Sequence, residues 1–322
     1  MIRQLSFTVA AFAATAAIAQ SGDPYIWLEE VNGARPLEQV RKWNAEATAE
    51  LTAVPGYEEH RQRALAILNN PANIVAPDAV IGDQVLNHWI DANNPRGIWR
   101  VASYDSFVSG KPQWRTLIDV DALGKAEGKS WVWHGADCLA PQYRRCLVAL
   151  SPGGGDADVI REFDLLTGKF VAGGFEVPLS KNSAGWVDEN TLLVGRAAEG
   201  SQTVSGYPIK LVEWKRGTPL DSAPVVATGE ANDIGMSADQ IGNADTRYAM
   251  IFRTISYFDS RRQVRRPDGR WVELPVPVDA DIMGLVGNSL VLRLDKAVAG
   301  HPSGALVAYD FAAILNGARP GP

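Results

Sequence analysis

The chain has 322 residues and a formal net charge of −6, with 46% hydrophobic and 21% charged residues. That balance is globular and excludes disordered and collagen-like chains. A pI near 5.3 argues against a phosphate-binding surface, which needs clustered Lys and Arg, so no nucleic-acid partner is expected. Ten Trp beside 30 Gly and 19 Pro suit strands and turns better than a helical bundle.

Met1–Ala19 has the order of a secretory signal peptide. Arg3 supplies a positive start, Leu5 to Ile18 an apolar run of small residues, and Ala17-Ile18-Ala19 a cleavage site before Gln20. The alternative is an uncleaved anchor, but a spanning helix needs about 20 apolar residues. Gln20 and Ser21 end this run too early. No Cys follows the cleavage site, which argues against a lipid anchor, and no later apolar run has spanning length. The mature chain is therefore expected to be exported, periplasmic or secreted, without membrane contact after cleavage. In such a compartment Cys138 and Cys146 favour one disulfide over two buried thiols. The seven residues between them include Pro141 and allow a loop that returns on itself. Zinc needs three or four ligands, and only His134 lies nearby.

Asp23–Asn70 reads as helical. Pro36 suits a first turn, and Leu37, Val40, Trp43, Ala47 and Leu51 repeat at helical spacing with charged residues elsewhere. Pro55-Gly56 ends that helix, and a second is predicted from Tyr57 to Leu68, closed by Asn69-Asn70-Pro71. From about Ile74 the pattern changes to short apolar runs between turns. Strands are predicted at Val85–Ile90, Gly97–Ser103, Trp114–Val120, Cys146–Leu150, Val159–Phe163, Thr191–Val194 and Ile209–Trp214. Further strands are predicted at Ala249–Thr254, Trp271–Leu274, Ser289–Leu294 and Ala305–Tyr309. Such spacing means a sandwich, a barrel or a propeller.

The propeller is favoured by Asp164 followed by Leu165-Leu166-Thr167-Gly168-Lys169. A strand, D-x-x-T-G-K and a second strand form a common outer hairpin of a blade. Pro267-Asp268-Gly269-Arg270-Trp271 is a weaker echo. At about 40–50 residues per four-stranded blade, residues 74–322 hold roughly five blades. The expected organisation is a signal peptide at 1–19, a helical segment at 20–72 and a mainly β propeller at 73–322.

Catalytic motifs are missing from the sequence. The nucleophile elbow G-x-S-x-G fails at Gly235-Met236-Ser237-Ala238-Asp239 and again around Ser289. His60, His88, His134 and His301 have no evident Ser or Cys partner and read as surface or packing residues. Gly153-Gly154-Gly155 lacks phosphate-loop spacing and reads as a turn. Asp119-Val120-Asp121 with Gly124 is spaced like part of a calcium loop but fails at Leu123 and Ser130. No metal and no cofactor is expected. A carboxylate pair of a propeller glycosidase stays open, since any two carboxylates suitably placed in space would serve.

Asp23-Pro24-Tyr25-Ile26-Trp27-Leu28-Glu29-Glu30 closely resembles the opening of prolyl oligopeptidase family serine peptidases. The helix with Val40, Trp43, Asn44, Ala45 and Thr48 resembles the family's next helix. Gly97-Ile98-Trp99-Arg100, Leu117–Leu123, Trp131-Val132-Trp133 and Arg145–Gly154 resemble its first blades. Ser205-Gly206-Tyr207-Pro208 and Trp214–Leu220 resemble an exported bacterial branch. The resemblance implies a seven-bladed propeller over an α/β-hydrolase domain that carries Ser, Asp and His, the propeller restricting substrates to short peptides. It implies that this chain holds roughly five of those blades without the hydrolase domain, so no catalytic residue is carried over and the chain by itself is expected to be inactive. The alternative is a non-catalytic peptide-binding or scaffolding propeller. The helices would lose their hydrolase partner, and self-association of the isolated chain is expected.

Overall fold

The computed structural model describes residues 23–70, 76–242 and 246–322; the signal-peptide reading of Met1–Ala19 lies outside them. The chain divides into two units, Met1–Asn73 and Ile74–Pro322.

In the first unit, a 3-10 turn at Ile26–Glu29 precedes α1 (Ala34–Thr52) and α2 (Tyr57–Leu68). Pro36 lies in the first turn of α1, where its missing N–H costs nothing. Gly56, at φ 85°, adopts the left-handed conformation before α2, which glycine reaches without a Cβ clash. The stripe of α1 is open to solvent: Leu37, Val40, Trp43, Ala47 and Leu51 are all exposed.

The second unit is a series of antiparallel meanders, each a blade. The first blade contains β1 (Ala79–Ile81), β2 (Gln84–Trp89), β3 (Ile98–Ser103) and β4 (Arg115–Asp119), with α3 (Tyr104–Val108) between the last two. α4 (Val120–Glu127) leads to the second blade of β5 (Trp131–Cys138), β6 (Arg145–Pro152), β7 (Asp158–Asp164) and β8 (Lys169–Phe170). β9 (Glu176–Ser180) also pairs with β7. The third blade is β10 (Asn182–Asp188), β11 (Thr191–Arg196), β12 (Lys210–Lys215) and β13 (Val225–Thr228). The fourth is β14 (Gly235–Gly242), β15 (Arg247–Thr254), β16 (Ser260–Arg265) and β17 (Trp271–Glu273). The fifth is β18 (Asp281–Val286), β19 (Ser289–Arg293) and β20 (Leu306–Asp310), followed by α5 (Phe311–Leu315). The five blades agree with the number expected from chain length.

Period-two alternation lets the middle strands bury both faces. On β6, Cys146, Val148 and Leu150 join Trp99, Leu117 and Phe163 between the first and second blades. Leu147, pointing the other way, joins Trp186, Leu192 and Val194 between the second and third. β11 repeats the pattern, since Leu193 turns to Leu211, Met236 and Ile251 between the third and fourth. Met250 and Val264 meet Leu290, Leu292 and Tyr309 between the fourth and fifth. Among the described residues, no such cluster joins the fifth blade to the first. Full burial of a side chain such as Leu192 contributes about 2–3 kcal/mol.

Polar links reinforce these seams. Glu162 on β7 has a fully buried side chain. Its carboxylate accepts from both terminal nitrogens of Arg216 at 2.7 and 3.1 Å and from the Phe175 N–H at 2.9 Å. Arg216 follows β12, so this fork ties the second blade to the third. The chain Asp164–Lys169 forms the predicted hairpin: the Asp164 carboxylate accepts from the N–H groups of Leu166 and Thr167, both at 3.0 Å. Cys138 and Cys146 are directly opposite on β5 and β6 and form a disulfide.

Candidate functional site

The first strands of the third, fourth and fifth blades pack on one another. β10 packs on β14, and β14 on β18, across blade boundaries. Small residues allow the approach: a Cβ added at Gly185 would lie 3.0 Å from the Ala238 carbonyl carbon. Side chains then join neighbouring walls. The Trp186 indole donates to the Asp137 carbonyl at 3.1 Å, and the Gln240 amide donates to the Trp186 carbonyl at 2.8 Å. Ser183 Oγ accepts from the Ala238 N–H at 2.9 Å.

Two carboxylates on first strands bear on one another electrostatically. Asp137 on β5 and Asp239 on β14 come from non-adjacent blades, and both side chains are open to solvent. Crowding by protein lifts the Asp137 pKa to about 6; the Asp239 charge adds to the rise, and Arg247 opposes it.

Between the first hairpins of the second, third and fourth blades, a cavity of about 480 Å³ opens. Its walls come from three blades: Leu139–Gln142, Arg144 and Arg145 on one side, Val187–Glu189 on the next, and Gln240 and Arg247 on the third. The disulfide closes the stalk of the hairpin that supplies the first wall. Tyr143 crosses toward the fourth blade, where its hydroxyl lies 3.4 Å from a terminal nitrogen of Arg247. The arrangement is a mixed apolar and polar recess of a size that takes a small ligand.

The histidines stay apart from this recess. His60 is exposed on α2, and His301 is exposed in a loop before Pro302. His88 stacks on Trp133 with ring centroids 5.4 Å apart, and its Nε2 lies 3.2 Å from the Arg96 carbonyl. Burial pushes its pKa down. His134 Nδ1 lies 3.3 Å from Asp158 Oδ2. Asp158 is raised by burial, with His134 and Asn182 opposing the rise. Among the described residues, neither imidazole hydrogen-bonds a Ser, Thr or Cys side chain.

The rejected motifs have structural uses. Asp119 caps α4, its carboxylate accepting from the Ala122 N–H at 2.9 Å, and Asp121 accepts from the Arg96 N–H at 2.9 Å. Gly153 and Gly154 turn between β6 and β7 at φ 79° and 82°. Ser237 lies within β14 and Ser289 opens β19, neither at the strand-to-helix turn that an elbow needs. Asp137, Asp239 and Arg247 escape a reading of the sequence because only the ring of blades brings them together.

The model of the prolyl oligopeptidase N-terminal β-propeller domain matches residues 13–256. The chain belongs to the prolyl oligopeptidase propeller family. This propeller chain is 38% identical over 307 residues to an uncharacterized peptidase of Sinorhizobium fredii. It is 27% identical over 308 residues to an uncharacterized peptidase of Rickettsia prowazekii. The two alignments cover 92% and 90% of this chain, and 42% of each relative. The structure of a post-proline cleaving enzyme from Rickettsia typhi matches with a TM-score of 0.79 at 24% identity, over 90% of this chain and 44% of that one. That likeness shows the shared fold. The propeller chain thus spans less than half the length of these relatives.

Proposed function

We propose that this propeller admits short peptides to a serine-type peptidase centre carried by an α/β-hydrolase region with which it works. The family match carries this reading. Its physical sense is that a ring of blades around a narrow axis passes extended peptides and rejects folded proteins. Acyl transfer needs a nucleophile, a base and an oxyanion hole in one place. In this reading the propeller provides the passage, and those groups come from the hydrolase region.

We also propose that the protein works outside the cytoplasm, on the signal-peptide pattern of Met1–Ala19. The disulfide supports this, because such bonds persist in oxidising compartments.

The test uses the purified chain, a chromogenic short prolyl peptide and a serine-directed phosphonate probe. The chain by itself is expected to give no turnover and no labelled serine. A chimera joining it to the unmatched part of the Sinorhizobium fredii relative is expected to cleave the peptide and spare folded proteins. Labelling of a serine in the isolated chain overturns the proposal. So does a cooperatively folded chimera that cleaves nothing, or one that degrades folded proteins equally well.

A further inference from the structure

We infer that the cavity between the first hairpins of the second, third and fourth blades binds the α-carboxylate of a short peptide, with Arg247 as its anion-binding group. The inference rests on the peptide-admitting function proposed above and names a site for it.

Three guanidinium groups line the cavity, and their surroundings differ. Arg144 and Arg145 are held by Asp164, with Oδ2 2.9 Å from Arg144 and 3.2 Å from Arg145. Arg145 also lies 3.8 Å from Glu162. Arg247 is exposed, and among the described residues its guanidinium donates to the neutral Tyr143 hydroxyl at 3.4 Å. Among the described residues no carboxylate lies at ion-pair distance from it. Arg247 acts on Asp137 only from beyond that distance, so its planar guanidinium presents a fork of donors that matches a ligand carboxylate bidentately.

The rest of the recess selects the ligand. Leu139, Ala140, Pro141 and Val187 give an apolar wall for small side chains, and the Gln142 side chain adds polar capacity. The two acids of the lining, Asp188 and Glu189, repel a multiply charged anion. A zwitterionic peptide carries one carboxylate and one ammonium group, so it suits a single cation set among carboxylates better than phosphate does. Bound in this way, the carboxyl end rests at Arg247 and the amino end is free to lie toward the acidic groups.

The test is titration calorimetry of the purified full chain with Ala-Ala-Pro as the free acid, the same peptide as its C-terminal amide, and inorganic phosphate. The free acid is expected to bind about tenfold or more tightly than the amide. R247Q is expected to erase that preference with an unchanged unfolding midpoint, and R247K to keep part of it. Equal binding of acid and amide overturns the proposal, as does a preference that survives in R247Q. Displacement of the peptide by phosphate at matching concentration makes this a general anion site and also overturns it. Absence of any peptide binding overturns the site; the admitting function would still stand if the chimera cleaved short peptides.

Discussion

Replacing Arg216 with alanine tests whether the seam between the second and third blades depends on one buried charge. Glu162 keeps both oxygens inside the protein, where its side chain has 0% exposure. Without Arg216 it would retain the Phe175 N–H at 2.9 Å and the more distant Arg145 at 3.8 Å. Arg216 also donates from Nε to the Asn190 side chain at 3.1 Å and covers the Phe175 ring at 4.3 Å. Removing one partner of a buried pair costs about 3–5 kcal/mol. Arg145 remains and Arg216 is itself 27% exposed, so the lower end, about 3 kcal/mol, is expected. In a domain of this size that lowers the unfolding midpoint by about 6–12 °C. Urea unfolding of R216A, E162Q and the double variant measures it, with a coupling of about 1.5 kcal/mol or more expected. A loss under about 1 kcal/mol in R216A, or additive single effects, would refute the reasoning.

Asp137 links the axis to pH. Its folded pKa, about 6, stands above the ordinary aspartate value, so the folded chain holds this proton more tightly than the unfolded chain. The stability it contributes is full below the ordinary aspartate range and is lost as pH rises through about 6; D137N is expected to flatten that slope in urea unfolding between pH 4 and 7. Replacing Cys138 and Cys146 together with serine is expected to cost about 2–3 kcal/mol, the value for so short a closed loop; an equal loss on adding reductant to the wild-type chain checks it. Trp43 is 43% exposed on α1, and W43E is expected to reduce self-association in sedimentation, where an unchanged mass distribution would count against an apolar contact there.

Much of this fold is legible in the sequence because the middle strands are buried on both faces. Thr191–Val194 and Cys146–Leu150 read as apolar runs for that reason, and each strand extends slightly beyond its run. The helices also stand out: α2 has the predicted bounds, Tyr57–Leu68. The axial strands are harder to see. β10 and β14 consist largely of Gly, Ala, Ser and polar residues, because the crowded axis admits little bulk. β16 reads as polar, yet Arg262 is buried there by donating to the carbonyls of Pro277 at 3.2 Å and Ala280 at 2.7 Å. Val120 was expected to end a strand and instead opens α4, where the Asp119 cap stops the extended run. The candidate site has no local signal, since an exposed Asp or Arg in a polar stretch looks like any solvated residue until the blades close around it.

The seams between blades also set how the molecule opens. Among the described residues each blade's apolar clusters join it to its chain neighbours, so the propeller behaves as a row of coupled units. The second, third and fourth blades are held from both sides, whereas the first and fifth are each held by one such cluster among the described residues. Amide hydrogens of Leu192 and Val194 in the third blade should therefore exchange with solvent only in the rarest openings, while those of Leu290 and Leu292 escape earlier with the fifth blade. Local breathing would begin at the two terminal blades and leave the wall between Asp137 and Asp239 standing longest.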